Sequence, residues 1–181
     1  MNYFEKLIGH LKTVCAHRHK VLQHCIKAGI LWQGLIHDLS KFSPSEFWVG
    51  VKYYQGTRSP NEGEREAIGY SLAWMHHKGR NKHHFEYWND LDMATRQYMP
   101  VRMPIKYVKE MFCDRVAASK IYNKGHYTDR DALNYFHRRK SHPELHPDTE
   151  KLLLKLLTML AEQGEDTVFT YIRELKEYPQ D

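Results

Sequence analysis

An imidazole and a carboxylate stand side by side in His37-Asp38-Leu39-Ser40-Lys41. Both groups can ligate one divalent cation where a helix end frays. On a continuous helix Lys41 shares their face, four residues from His37 and three from Asp38. A positive charge there suits a phosphate oxygen, which makes Asp38 and Lys41 the catalytic candidates. A His-Asp pair alone is more often an ordinary surface helix end. Upstream, His10, His17 and His24 recur every seven residues and share one helical stripe with Val14 and Val21. That stripe faces inward, so a helix pair joined near Gly29 could bring His17 or His24 toward His37. His19 falls on another face and is expected in solvent. Downstream, Asp114 sits in an apolar helical stretch, where a buried carboxylate requires a cation. Either a metal ion or Arg115 could supply it.

A second constellation, His76-His77 and His83-His84, flanks the basic segment Lys78-Gly79-Arg80-Asn81-Lys82. His76 follows Ile68 and Leu72 at intervals of four, so it points inward if one helix persists through them. His76 and His77 are candidates for a second ion. Arg80, Asn81, Lys82 and His84, with Lys41, are candidates for binding an anionic substrate. The alternative is a loop whose histidines merely pack with Phe85, Tyr87 and Trp88. The H-E-x-x-H spacing of zinc peptidases is missing, as are G-x-S-x-G, the P-loop and G-x-G-x-x-G.

These groups require helices to hold them. Apolar residues at Phe4, Leu7, Leu11, Val14, Val21 and Leu22 predict a helix over about 3–28, and Gly29 ends it. A second helix is predicted over about 30–39 and a third over about 44–54, with Ser43 as cap, Pro44 at its first position and Glu46 completing a capping box. One helix is expected over 64–78, then a long irregular segment over 80–103, of the kind that is more often functional than idle. Helices follow over about 104–123, 129–139 and from Asp148 to about 163, with a last one beyond Gly164 to about 178. No strand pattern and no repeat is evident. The expectation is an all-α single domain over 1–181.

The chain has 181 residues, 27 Lys and Arg, 22 Asp and Glu, and a net charge of +5. The positive balance lies in residues 1–60, with eight basic and three acidic groups. That favours an anionic partner, either a small phosphate-like substrate or a polyanion, or else a solvated basic face. No basic run resembles a nucleic-acid arm, so nucleic acid is not an expected partner. The longest apolar run, Leu152 to Ala161, is interrupted by Lys155 and too short to cross a bilayer, so no membrane partner is expected. It reads as core or as the face of a homodimer. The N-terminus lacks a secretory signal pattern. Cys15, Cys25 and Cys113 form no CxxC pair, fit reduced thiols in a cytoplasm, and read as buried small hydrophobes. The four tryptophans, Trp32, Trp48, Trp74 and Trp88, read as core or pocket lining.

His17, His37-Asp38 and Asp114 on successive helices resemble the His…His-Asp…Asp signature of the HD-domain superfamily. The resemblance covers about residues 10–122 and is strongest in HDLSKFSPSEF, AWMHHKGRNKHHFEYW and MPIKYVKEMFCD, the motifs of one bacterial branch. It implies an HD-domain-like helical bundle with additional C-terminal helices over about 126–178. It also implies a metal-dependent phosphohydrolase acting on a phosphorylated small molecule, such as a nucleotide. His17, His37, Asp38 and Asp114 would hold the metal. The spacing from His17 to His37 is shorter than in many members, which leaves His24 as the alternative upstream ligand. Mixed nitrogen and oxygen donors suit Mn, Fe, Co, Ni or Mg, as one or two ions, better than a closed zinc site. Some members of the superfamily are di-iron oxygenases. A metal-stabilised module that binds a phosphorylated ligand without turnover is the third reading.

Overall fold

The computed structural model describes residues 1–123 and 125–180. Among them are eight α-helices and one small hairpin, so the fold is all-α. The helices are α1 (Tyr3–Lys27), α2 (Leu31–Ile36), α3 (Pro44–Tyr53), α4 (Pro60–Ile68), α5 (Leu72–Lys78), α6 (Ile105–Tyr122), α7 (Asp131–Phe136) and α8 (Pro147–Glu174). Short 3-10 turns occupy Leu39–Phe42 and Phe85–Tyr87. The hairpin pairs β1 (Asn89–Leu91) antiparallel to β2 (Tyr98–Pro100), with Asn89 opposite Pro100. Three-residue strands carry too little alternation to be legible as a pattern.

Helix α1 begins in a reciprocal cap: Asn2 accepts from the Glu5 amide at 2.9 Å, and Glu5 accepts from the Asn2 amide at 2.8 Å. Its inward stripe is the expected one, with His10, Val14, Val21, His24 and Cys25 buried. Helix α6 lies between α1 and α8 and contributes Val108, Met111, Phe112, Cys113, Val116 and Ala117 to the core. From α8 the core takes Leu152, Leu153, Leu156, Leu157 and Leu160, all at most 2% exposed. Of the two expectations for this run, core or homodimer face, the core is the one these leucines occupy. A backbone break at Gly164 (φ 80°) divides α8 where two helices were expected.

Two other expectations change, and both changes matter for the site. The helix expected over 64–78 is two helices, because Gly69 takes φ 85°, a left-handed conformation open to glycine. Ser71 then caps α5, accepting from the Trp74 amide at 3.0 Å. The break resets the helical phase, leaving Ile68 and Leu72 exposed and His77, not His76, fully inside. Helix α2 ends at Ile36, so His37 and Asp38 lie beyond it, and the shared helical face with Lys41 does not form. Cys15 is exposed, whereas Cys25 and Cys113 are buried as expected.

His10 and His24 are structural. His10 packs on Phe47 and Tyr54, with ring centroids at 5.4 and 6.0 Å. The His24 Nδ1 donates to the Cys113 carbonyl at 3.2 Å, away from His37. Burial pushes each imidazole down to about 4. Because the folded chain holds them neutral, stability is full above the ordinary value of 6.5 and falls as pH drops toward 4. At about 1.4 kcal/mol per pH unit, His24 accounts for roughly 3 kcal/mol of that loss. Urea unfolding at pH 7 and pH 5 should show a shallower loss for His24→Gln than for the wild type. Equal losses would sink the assignment.

Candidate metal centre

Seven segments converge on one cluster. His17 comes from α1, His37 and Asp38 from the chain leaving α2, and Lys41 from the turn after it. Helix α3 brings Glu46, α5 brings His76 and His77, and the following segment brings His83 and His84. Helix α6 brings Glu110 and Asp114, one turn apart on one face. Arg18 fixes the end of α2, donating from Nε to the His37 carbonyl at 2.8 Å and from Nη2 to the Leu35 carbonyl at 3.1 Å. Asp38 itself takes φ 53°, a left-handed backbone uncommon outside glycine and typical of constrained functional positions.

The two oxygens of Asp38 face different partners. Oδ2 lies 3.5 Å from His37 Nε2 and 3.7 Å from Lys41 Nζ. Oδ1 lies 3.3 Å from His77 Nε2 and 3.5 Å from His83 Nε2. On the first side, Asp114 Oδ1 lies 2.9 Å from His17 Nε2 and 3.5 Å from His37 Nε2. On the second, His84 packs its ring on His77 and His83, at centroid distances of 4.8 and 4.1 Å. Donor atoms of His17, His37 and Asp114 all lie within 4.8 Å of one another, and so do those of Asp38, His77, His83 and His84.

Outer carboxylates fix the rings. Glu110 Oε1 accepts from His37 Nδ1 at 2.9 Å and from His83 Nδ1 at 3.1 Å. Glu46 accepts from His76 Nδ1 at 2.6 Å and from His77 Nδ1 at 2.7 Å. With Nδ1 donating, the Nε2 lone pairs of His37, His77 and His83 point inward, the arrangement typical of metal-ligating histidines. Four buried atoms here have no hydrogen-bond partner: His37 Nε2, Asp38 Oδ1, His83 Nε2 and His84 Nε2. Orphaned buried atoms of this kind are costly; Asp38 Oδ1, His83 Nε2 and His84 Nε2 belong to one donor group and His37 Nε2 to the other, and cations there would satisfy them. The residues present therefore fit a metal ion.

The electrostatics agree with that fit. Burial opposes the charged form of Asp38, but His37, His77 and Lys41 hold its carboxyl well below the usual range. Burial likewise opposes Asp114, which His17 and His37 bring well below the usual range. His37 is raised well above the ordinary imidazole value, against burial, by Asp38, Asp114 and Glu110. Burial, reinforced by His83 and His77, keeps His84 far below its ordinary value and so neutral. His37, Asp38 and Asp114 would hold a cation with His37 deprotonated, and the cation's charge would offset the carboxylates.

Residues 6–159 match the model of a family described as Family of unknown function (DUF5662). The chain belongs to DUF5662. No curated protein and no solved structure matches it. The DUF5662 match spans every residue of the cluster, from His17 to Asp114.

Of the residues singled out in the sequence of this DUF5662 member, His17, His37, Asp38, Lys41, His77, His84 and Asp114 come together. His17, not His24, is the upstream histidine at the cluster. His76 is partly buried against Glu46 and is not among the donor groups that lie within 4.8 Å of one another. Asn81 donates to Ser40 Oγ and to the His77 carbonyl, both at 2.8 Å, and so braces the site. Arg80 reaches back to the His76 carbonyl, and Lys82 lies 5.5 Å over the Tyr87 ring. Lys41 alone of these three cations has its charged end against the cluster, 3.5 Å from His77 Nε2. His84 sits among the candidate ligands rather than at a substrate surface.

Glu110 and Glu46 escaped sequence reasoning, and the sequence singles out His83 only as part of the second constellation, with no ligand role of its own. Glu110 stands one helical turn before Asp114, a spacing that marks a second inward carboxylate. Glu46 was legible only as a helix cap, yet no side-chain cap forms at Ser43 and Glu46 is spent on the two histidines. Loss of an outer carboxylate of this type lowers metal affinity by about 10–100-fold. Glu110→Gln should therefore weaken metal binding by that factor in a competition titration with a chromophoric chelator. Unchanged affinity would show that Glu110 does not orient His37 and His83.

Proposed function

We propose that this DUF5662 member is a metal-dependent hydrolase of a small phosphate ester, the activity implied by its resemblance to the HD-domain superfamily. The observation that carries the reading is the placement of Asp38, whose Oδ2 faces His37 Nε2 while its Oδ1 faces the Nε2 atoms of His77 and His83. His17, His37, Asp38 and Asp114 would hold one ion. Asp38, His77, His83 and His84 would hold a second, with Asp38 shared. A divalent ion in such a site supplies Lewis acidity and lowers the pKa of water toward neutrality. Glu110 and Glu46 keep the Nδ1 protons in place and so fix which nitrogen each imidazole presents inward. Lys41, about a quarter exposed, presents its ammonium beside Asp38, where it can meet a phosphate oxygen. The donors suit Mn, Fe, Co or Ni at the histidine-rich group, whereas Mg prefers oxygen.

That histidine-rich group also favours a second reading, a di-iron oxygenase, since three imidazoles and a carboxylate suit iron. Elemental analysis of protein purified without added metal, followed by a phosphate-release screen over phosphomonoesters and nucleotides, separates the readings. The hydrolase predicts bound transition metal and phosphate release that a chelator abolishes. Two irons per chain with oxygen consumption and no phosphate release would replace it with the oxygenase. Bound metal with neither activity would leave a binding module.

A further inference from the structure

The segment before α6, the first turn of α8 and the chain after α8 are tied by a closed ring of hydrogen bonds. The Met103 amide donates to Thr149 Oγ1 at 3.1 Å, the Thr149 and Tyr178 hydroxyls meet at 3.0 Å, and the Tyr178 hydroxyl donates to the Met103 carbonyl at 2.7 Å. Tyr178 spends its one proton on the carbonyl, so Thr149 is the donor between the two hydroxyls. Met103 and Thr149 are buried, and a satisfied network out of water holds its members in one geometry. Between the three segments lies a cleft of about 830 Å³. Small-molecule sites occupy roughly 300–1,000 Å³. No residue that lines the cleft belongs to the metal centre.

The lining combines an apolar floor with a cationic rim. Met103 and Leu152 are at most 2% exposed and form the bottom, and Ile105 lines the cleft beside them. Four cations stand against two acids, Asp148 and Glu177. Arg102 spends its charge on Asp148 at 3.2 Å and lies 5.0 Å over the Tyr178 ring. Lys155 lies 4.8 Å over the Tyr171 ring. Neither Lys155 nor Lys176 forms an ion pair with a carboxylate among the described residues. A concave surface of one net sign gathers ions of the other. A neutral apolar molecule would leave that charge unmet, and a bare inorganic anion would leave the floor in water.

We infer that this cleft binds a small organic anion. Its ring or short chain covers Met103, Ile105 and Leu152, and its acid group meets Lys155 and Lys176. The hydrogen-bonded ring of Met103, Thr149 and Tyr178 keeps the cleft open in advance, which lowers the cost of ordering on binding. The inference rests on this cleft alone and stands whether or not the metal centre hydrolyses phosphate.

Fluorescence titration of the full chain with anilinonaphthalene sulfonate, an anion on an aromatic body, tests it. One dye should bind per chain, with brighter and blue-shifted emission, and added salt should weaken it. Phenylnaphthylamine, its neutral counterpart, should bind at least about tenfold more weakly. Lys155→Glu with Lys176→Glu changes two exposed positions. That variant should weaken sulfonate binding at least about tenfold while its circular dichroism is unchanged. The exposed side chains of α2 are the other place where the dye could lodge, since Trp32 is 68% and Leu35 46% exposed. Trp32→Ser with Leu35→Ser should nevertheless leave sulfonate binding unchanged. Absence of saturable binding, equal affinity for the two dyes or full binding by the lysine variant would overturn the inference. Loss of binding in the α2 variant would assign the dye to that face and overturn it equally.

Discussion

Asp38→Asn should strip the centre of metal while leaving the helices in place. The asparagine keeps the shape of the side chain but removes its charge. It also turns an amide donor toward either Lys41 and His37 or His77 and His83, where an acceptor now stands. Because Asp38 faces both donor groups, one substitution acts on both. Loss of an outer carboxylate costs about 10–100-fold in affinity, so loss of a shared inner one should cost at least about 10³-fold, with a comparable fall in any metal-dependent activity. Metal content by elemental analysis after gel filtration is the measurement, with far-ultraviolet circular dichroism as the folding control. Retention of full metal by Asp38→Asn would remove Asp38 from the ligand set. A fall to one ion per chain would instead show that the two groups bind independently of a bridge.

The sequence carried the long helices because each buries a wide apolar stripe. The stripe of Val14 and Val21 in α1 and the leucines of α8 both repeat at helical spacing and both lie in the core. His37, Asp38 and Asp114 were legible as chemistry through their combination with the inward stripe of His17 and with the apolar helix around Asp114, since a His-Asp pair alone fits a surface helix end. Periodicity failed where backbone geometry intervened. Gly69 restarts the helix and exchanges the roles of His76 and His77, which no side-chain pattern announces. Glu46 obeyed the capping rule in sequence, but tertiary packing used it to orient imidazoles. Trp32 and its neighbours read as interior residues by type, yet the six-residue α2 has no second layer of helix to cover them. Local patterns thus located the elements, while the outer carboxylates and the uncovered face depended on how those elements meet.

Lys41→Met should leave metal content unchanged and lower phosphate-ester turnover by about 10²–10³-fold. Its ammonium lies 3.7 Å from Asp38 Oδ2 and 3.5 Å from His77 Nε2, so it borders both donor groups. It has four carboxylates within the same cluster to offset and yet remains partly exposed, which leaves it free to meet an incoming anion. Methionine keeps the length of the stem and removes the charge. A single preorganised donor aimed at developing negative charge is worth about 10²–10³ in rate. The loss should fall on kcat for a charged phosphate ester, with KM changing less if Lys41 acts mainly on the transition state. Lys41→Arg should restore part of the rate by supplying a positive charge of different shape. If Lys41→Met instead releases metal, the ammonium stabilises the folded carboxylate cluster. If neither metal nor rate changes, the substrate phosphate meets a different cation, and Arg80 at the edge of α5 becomes the next residue to replace.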